Sequence, residues 1–165
     1  MPPHTLIYRE IGREVRLEMF TENITGRCLC GTVEFQLVPP LEPISHCHCQ
    51  SCRLSRGAAF VTWTWVPSER FALRKGETDV SWYRSSQGVR WGFCRTCGSS
   101  MFYVADRKDH PDAPKSGYVY VSVGSLTGAI SDTPVAHVSY EERVDWYQAS
   151  DALPKYRGKT DERIF

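Results

Sequence analysis

The chain has 165 residues, 41% hydrophobic and 24% charged, and its formal net charge is +1. This composition excludes a disordered chain and predicts one globular domain with its own core. The nearly balanced charge argues against binding to nucleic acid or to an anionic membrane. No leader-like or membrane-spanning apolar run is present, so the sequence predicts a cytoplasmic protein.

Residues 1–24 are predicted to be a polar N-terminal extension. Val15, Leu17 and Met19 alternate with charged residues there, a pattern that fits either an added strand or an irregular helix. The main folded domain is predicted to span residues 25–147. A charged C-terminal tail is predicted for residues 148–165.

Strand signals follow one another closely from Gly26 onwards. Period-two alternation and β-branched or aromatic runs predict strands at 33–37, 60–66, 71–73, 80–83, 89–93, 101–104 and 118–123. A turn is predicted at Lys75-Gly76, a short helical turn at 50–55 and a surface loop at 107–116. Because no long helical period interrupts the strands, the fold class is predicted to be all-β, with packed antiparallel sheets.

Seven cysteines fall into three clusters and need a chemical reason. Disulfides are a poor one, because the number is odd and the cytoplasm is reducing. Metal ligation explains the close spacing better. The clusters are Cys28-Leu29-Cys30, Cys47-His48-Cys49-Gln50-Ser51-Cys52 and Cys94-Arg95-Thr96-Cys97.

The last cluster has the spacing of a zinc knuckle, in which a tight turn directs two sulfurs at one ion. A redox pair is the alternative, but it is expected at a helix N-terminus in a βαβ unit rather than between two strands. Cys28 and Cys30, expected on one face of a strand, are the natural second pair. The sequence therefore predicts a closed site of Cys28, Cys30, Cys94 and Cys97; the alternative is buried free cysteines.

The middle cluster supplies three thiolates, from Cys47, Cys49 and Cys52. Three protein ligands leave a fourth zinc position open, which is typical of catalytic sites. The alternative is a second structural site that His46 or His48 closes. In a strand, both histidines would face away from the cysteines and would support the site or contact substrate.

Arg53 follows the last cysteine of the middle cluster. Its guanidinium would offset the net charge of −1 on a three-thiolate zinc or would bind a substrate carboxylate. A solvated arginine is the third interpretation.

Three segments give the chain a resemblance to the glutathione-dependent formaldehyde-activating enzymes and their centromere-protein-V-like relatives. They are Gly26-Arg27-Cys28-Leu29-Cys30-Gly31-Thr32-Val33, His46-Cys47-His48-Cys49-Gln50-Ser51-Cys52-Arg53, and Phe93-Cys94-Arg95-Thr96-Cys97-Gly98-Ser99-Ser100-Met101. Weaker similarity lies at Val123-Gly124-Ser125-Leu126 and at Pro134 with His137. The resemblance covers about residues 25–147.

The resemblance implies a β-tent of antiparallel sheets that a four-cysteine zinc site holds together. It implies two zinc ions per chain, one structural at Cys28, Cys30, Cys94 and Cys97, and one catalytic at Cys47, Cys49 and Cys52. The implied activity is that of a carbon–sulfur lyase, which adds glutathione reversibly to formaldehyde. We expect a small thiol and a small aldehyde as partners, with His46 or His48 carrying a proton.

A non-catalytic zinc module of the same fold is the competing function. It would present Trp63, Trp65 and Trp82 to a protein partner, although their strand context favours packing in the core. One zinc per chain favours this module and two favour the enzyme.

Overall fold

The computed structural model describes residues 22–85, 89–105, 117–158 and 162–163. The predictions for residues 15–19 and 107–116 lie outside these residues. The described strands are β1 (Ile24–Arg27), β2 (Glu34–Leu37), β3 (Ser45–Cys47), β4 (Val61–Pro67), β5 (Phe71–Lys75), β6 (Val80–Arg84), β7 (Val89–Cys94), β8 (Ser100–Ala105), β9 (Tyr118–Ser122), β10 (Ala136–Val138), β11 (Tyr156–Arg157) and β12 (Glu162–Arg163). Helix α1 spans Gln50–Arg56, and 3₁₀ turns lie at Ser68–Arg70, Glu77–Asp79, Val123–Ser125 and Tyr140–Glu142.

Two main sheets form the domain. Strands β1, β2 and β5 make an antiparallel sheet of three strands, and a second sheet of seven has the order β10-β3-β4-β9-β8-β7-β6. The prediction of an all-β domain is confirmed. One pairing differs from the antiparallel expectation, because β10 runs parallel to β3. Short strands β11 and β12 pair with each other.

The core lies between the inner faces of the two main sheets. The rings of Phe35 and Phe71 from the small sheet pack edge-on against Phe102 of the large sheet, with centroids 4.9 and 5.2 Å apart. Leu37 and Val121 are completely buried in the same cluster. The alternation of apolar residues in β2 therefore follows from burial of one face of that strand.

The outer face of the large sheet is aromatic around Trp63. Trp63 and Trp91 lie with centroids 6.5 Å apart, and Tyr103 packs beside both. Helix α1 covers this face, and its N-cap is Cys49, whose sulfur accepts a hydrogen bond from the Cys52 N–H. The predicted helical turn is thus confirmed.

Part of the predicted C-terminal tail packs on the large sheet. The His137 N–H donates to the Pro154 carbonyl oxygen over 2.9 Å, and Ala149 is buried. Residues 149–157 therefore help to hold β10 in place. In the described part of the chain, no helix has the length and apolar character needed to cross a membrane.

Candidate metal centres

Four cysteines from two turns come together where the small and large sheets meet. Cys28 and Cys30 lie in the turn after β1, whereas Cys94 ends β7 and Cys97 lies in the turn before β8. Their sulfur atoms all lie within 4.8 Å of one another. The predicted four-cysteine group is therefore present, and it joins two parts of the chain that are far apart in sequence.

The spacing of these sulfurs fits a tetrahedral ion. The Cys30 sulfur lies 3.5 Å from that of Cys28 and 3.8 Å from that of Cys94. A zinc ion bonded to sulfur at about 2.3 Å would separate its ligands by about 3.8 Å. Four thiolates at this spacing suit a closed structural zinc site.

The first cysteine pair does not lie on a strand, and that expectation was wrong. The Gly31 N–H donates to the Cys28 carbonyl oxygen over 3.1 Å, which closes a turn around Leu29. Gly31 has φ 73°, which a residue with a side chain rarely adopts. The Leu29 N–H donates to Ser99 Oγ over 2.9 Å and so ties this turn to the second one.

The second group contains the sulfurs of Cys47, Cys49 and Cys52, also within 4.8 Å of one another. Cys47 ends β3, Cys49 caps α1 and Cys52 lies in the first turn of that helix. Among the described residues, no fourth cysteine, histidine, aspartate or glutamate joins this group at that distance. The arrangement therefore offers three ligands and an open position.

Two of the three sulfurs in this group, those of Cys47 and Cys52, resist ionisation in the absence of a metal. The neighbouring thiols of Cys49 and Cys52, together with burial, raise the pKa of Cys47 well above its ordinary value. For Cys52, a hydrogen bond with Cys47 favours the thiolate, but the contact with Cys49 and burial outweigh it and raise the pKa to about 12. Three thiolates in this space therefore need a bound cation.

The four-cysteine group contains thiols that ionise more easily. Hydrogen bonds from Ser99 lower the pKa of Cys97 to about 5, and Thr32 lowers the pKa of Cys30. Burial acts in the opposite sense at Cys28 and raises its pKa to about 11.

Acidification is expected to remove zinc from the three-cysteine group first. Cysteine ligates zinc only as the thiolate, so a raised thiol pKa means that protons compete more strongly as the pH falls. Zinc content per chain should fall from two ions towards one as the pH is lowered, before the domain unfolds. Dialysis at stepped pH with metal analysis and circular dichroism checks this, with Cys49→Ser as the variant that lacks the first-released ion. Release of both ions in one step with unfolding would contradict the assignment.

His46 and His48 lie away from the three sulfurs. Cys47 pairs with Val61 on the aromatic face, whereas His46 pairs with Thr62 on the other face of β3 and β4. The rings of both histidines lie 5.0 Å from that of His137. Neither histidine belongs to the described sulfur group.

A hydrogen-bonded chain holds His48 in place. His48 Nε2 lies 2.8 Å from His137 Nδ1, and His137 Nε2 lies 3.0 Å from the Asp151 carboxylate. Burial lowers the pKa of His46 and lowers that of His48 to about 4, so both rings are neutral at pH 7. Their geometry suits support of the Cys47–Cys49 segment better than proton transfer at the sulfurs.

Arg53 also supports this segment. Its Nε donates to the His48 carbonyl oxygen over 3.0 Å, which holds the start of α1 against β3. Sequence reasoning missed Arg56, one helical turn after Cys52. Its guanidinium lies 4.8 Å from the centroid of the Trp63 ring, and the Trp63 indole N–H donates to the Cys52 sulfur over 3.4 Å. The four-residue spacing on a helix was the available signal.

Comparison with known proteins gives three findings. The family model described as glutathione-dependent formaldehyde-activating enzyme matches residues 23–142. An uncharacterized lyase of Schizosaccharomyces pombe is 22% identical over 122 residues, which cover 74% of this chain and 82% of that protein. A Rhodobacter sphaeroides protein of known crystal structure has 25% sequence identity to this chain and a TM-score of 0.49. The match covers 65% of this chain and 91% of that one.

Proposed function

Because the chain belongs to the glutathione-dependent formaldehyde-activating enzyme family, we propose that it is a zinc-dependent carbon–sulfur lyase. Its reaction would be the reversible addition of a small thiol, such as glutathione, to formaldehyde or a related small aldehyde. The site of this reaction would be the three-cysteine group. The four-cysteine group would hold a structural zinc.

One observation carries the proposal. The sulfurs of Cys47, Cys49 and Cys52 form a compact group to which no fourth ligand from the described residues belongs. Structural zinc sites are closed by four protein ligands, whereas catalytic sites keep one position for water or substrate. An incomplete group beside a complete one in the same chain favours chemistry at the incomplete one.

The donor set fits zinc, since thiolate sulfur is a preferred ligand of this ion. When bound, zinc would supply positive charge that favours the thiolate form of a substrate thiol and polarises a carbonyl. Cys47, Cys49 and Cys52 would hold the ion. The Trp63 indole donates to the Cys52 sulfur and would reduce the charge on that ligand.

The proposed addition makes one carbon–sulfur bond. The thiolate sulfur attacks the carbonyl carbon, the π electron pair moves to oxygen, and a proton given up by the thiol ends on that oxygen. The reverse reaction breaks the same bond. Because His46 lies on the other face of β3 and His48 is hydrogen-bonded to His137, we give them and Arg53 a positioning role in this proposal.

The competing role as a protein-binding module has little support from the three tryptophans. Trp63 is buried, and Trp65 stacks on Tyr120 with centroids 5.2 Å apart. Trp82 is exposed, but its ring stacks on Phe102 and lies 5.0 Å from the Arg90 guanidinium. These contacts make the tryptophans part of the packing.

The proposed reaction is tested by exchange spectroscopy with ¹³C-labelled formaldehyde and glutathione. We expect the zinc-loaded protein to accelerate exchange between free formaldehyde and the S-hydroxymethyl adduct above the spontaneous rate. S-methylglutathione, which has no thiol, should give no adduct. An unchanged exchange rate at two zinc ions per chain would contradict the proposed function.

A further inference from the structure

Arg56 is a half-buried cation that makes no ion pair with the described residues. It ends α1 and lies over the aromatic face, 4.8 Å from the centroid of Trp63 and 5.9 Å from that of Trp91. Its Nη1 donates to Ser100 Oγ. Among the described residues, no carboxylate lies within ion-pairing distance of Arg56, and its buried Nε and Nη2 have no hydrogen-bond partner.

The guanidinium keeps its charge at neutral pH. Burial lowers its pKa to about 10, and negative charge on Cys52 would act in the opposite sense. A desolvated cation without a nearby anion costs free energy, because no attraction to a counter-charge compensates for the lost hydration. Once a metal holds them as thiolates, the cysteines of the three-cysteine site would supply negative charge near Arg56.

Trp63 connects Arg56 to that site. One face of its ring lies beneath the guanidinium, and its indole N–H donates to the Cys52 sulfur over 3.4 Å. Arg56 also lies four residues after Cys52, so both side chains point to the same side of α1. The sequence suggested Arg53 as the residue that offsets the charge of this site. Its Nε instead donates to the His48 carbonyl oxygen.

The charge of the site depends on its fourth ligand. Zinc with three thiolates carries −1, and a bound thiolate makes this −2, whereas a neutral ligand such as imidazole leaves it at −1. A nearby cation in a partly desolvated site lowers the cost of the added negative charge. It gives a neutral ligand no comparable advantage.

We propose that Arg56 is the counter-charge of the three-cysteine site and selects an anionic thiolate over a neutral molecule as the fourth ligand. This inference rests on the proposed function, because it requires an open metal position at Cys47, Cys49 and Cys52. Arg56 is a positioning residue in this role. It would act through its charge and through Trp63.

The test compares an anionic and a neutral ligand on the full-length, cobalt-substituted protein. Dissociation constants for 2-mercaptoethanol, which binds as its thiolate, and for imidazole come from visible absorption titrations. Arg56→Gln removes the charge and keeps a donor for Ser100. We expect it to weaken thiolate binding about tenfold and to change imidazole binding less than about twofold. Arg56→Lys should restore most of the thiolate affinity. Arg74→Met, at an exposed position of β5, should change neither dissociation constant.

An equal loss of affinity for both ligands would show a merely structural role and overturn the inference. A loss of thiolate affinity that Arg56→Lys does not restore would do the same. An unchanged thiolate affinity in Arg56→Gln would also overturn it. If the wild-type protein bound no thiol, the proposed function would fail as well. Absorption from cobalt in the four-cysteine site shows that each variant is folded, and Arg56→Met provides a second neutral variant if Arg56→Gln does not fold.

Discussion

Replacing Cys97 with serine is expected to unfold the domain and to release the zinc of the four-cysteine site. The four sulfurs join the turn after β1 to the turn between β7 and β8. One ion would therefore link the small sheet to the large one. The apparent binding free energy of such an ion is about 10 kcal/mol, comparable to the whole stability of a domain. Losing one of four ligands therefore removes much of the stability.

Cys97 gives a cleaner test than Cys94. Cys94 is completely buried in the core between the sheets, so Cys94→Ser would also place a polar group there, whereas Cys97 is partly exposed. Thermal unfolding by circular dichroism and zinc analysis measure the effect. Thr32→Ala is the matched control, because it removes the hydrogen bond that the Cys30 sulfur donates to Thr32 Oγ1 but removes no ligand. A normal melting temperature and full zinc content in Cys97→Ser would refute the four-cysteine assignment.

Replacing Cys49 with serine is expected to keep the fold and to lower zinc from two ions per chain to one. Its group spans only β3 and the start of α1, so the loss of this ion opens no contact between the two sheets. Formaldehyde–thiol exchange should fall at least about 100-fold, because transition-state stabilisation at the ion is lost.

Cys49 is preferable to Cys52 for this experiment. Cys52 is buried against Val61 and Trp63, so Cys52→Ser would also disturb packing. Zinc analysis, circular dichroism and the exchange rate are compared with those of the wild-type protein. A Cys49→Ser protein without regular secondary structure would contradict an open, functional site.

Local patterns predicted the elements that local physics determines. Alternation in β2 and the β-branched run of β4 matched strands, because β2 buries one face and β4 buries residues on both faces. The sequence spacing correctly predicted that the sulfurs of Cys47, Cys49 and Cys52 lie together, since a short segment limits where they can lie. Pairing of distant cysteines was inferred from ligand number and is present in the structure.

Other features depend on contacts that spacing does not reveal. The turn at Cys28–Gly31 looked like a strand because alternate residues share chemistry, but Gly31 has a left-handed conformation. The contact of His48 with His137 joins residues 89 positions apart. Arg53 drew attention as the neighbour of Cys52 in sequence, whereas Arg56 is its neighbour on the helix.

Cobalt substitution with added glutathione tests the central claim most directly, since sulfur-to-cobalt charge-transfer absorption reports the number of bound thiolates. If Cys47, Cys49 and Cys52 form an open site, the band should grow by about one thiolate per chain on saturation, because a tetrahedral ion with three protein ligands takes one more. Cys49→Ser should show no such growth, and S-methylglutathione should give none. If glutathione bound by calorimetry while the band stayed constant, the thiol would bind elsewhere and the proposed mechanism would be wrong.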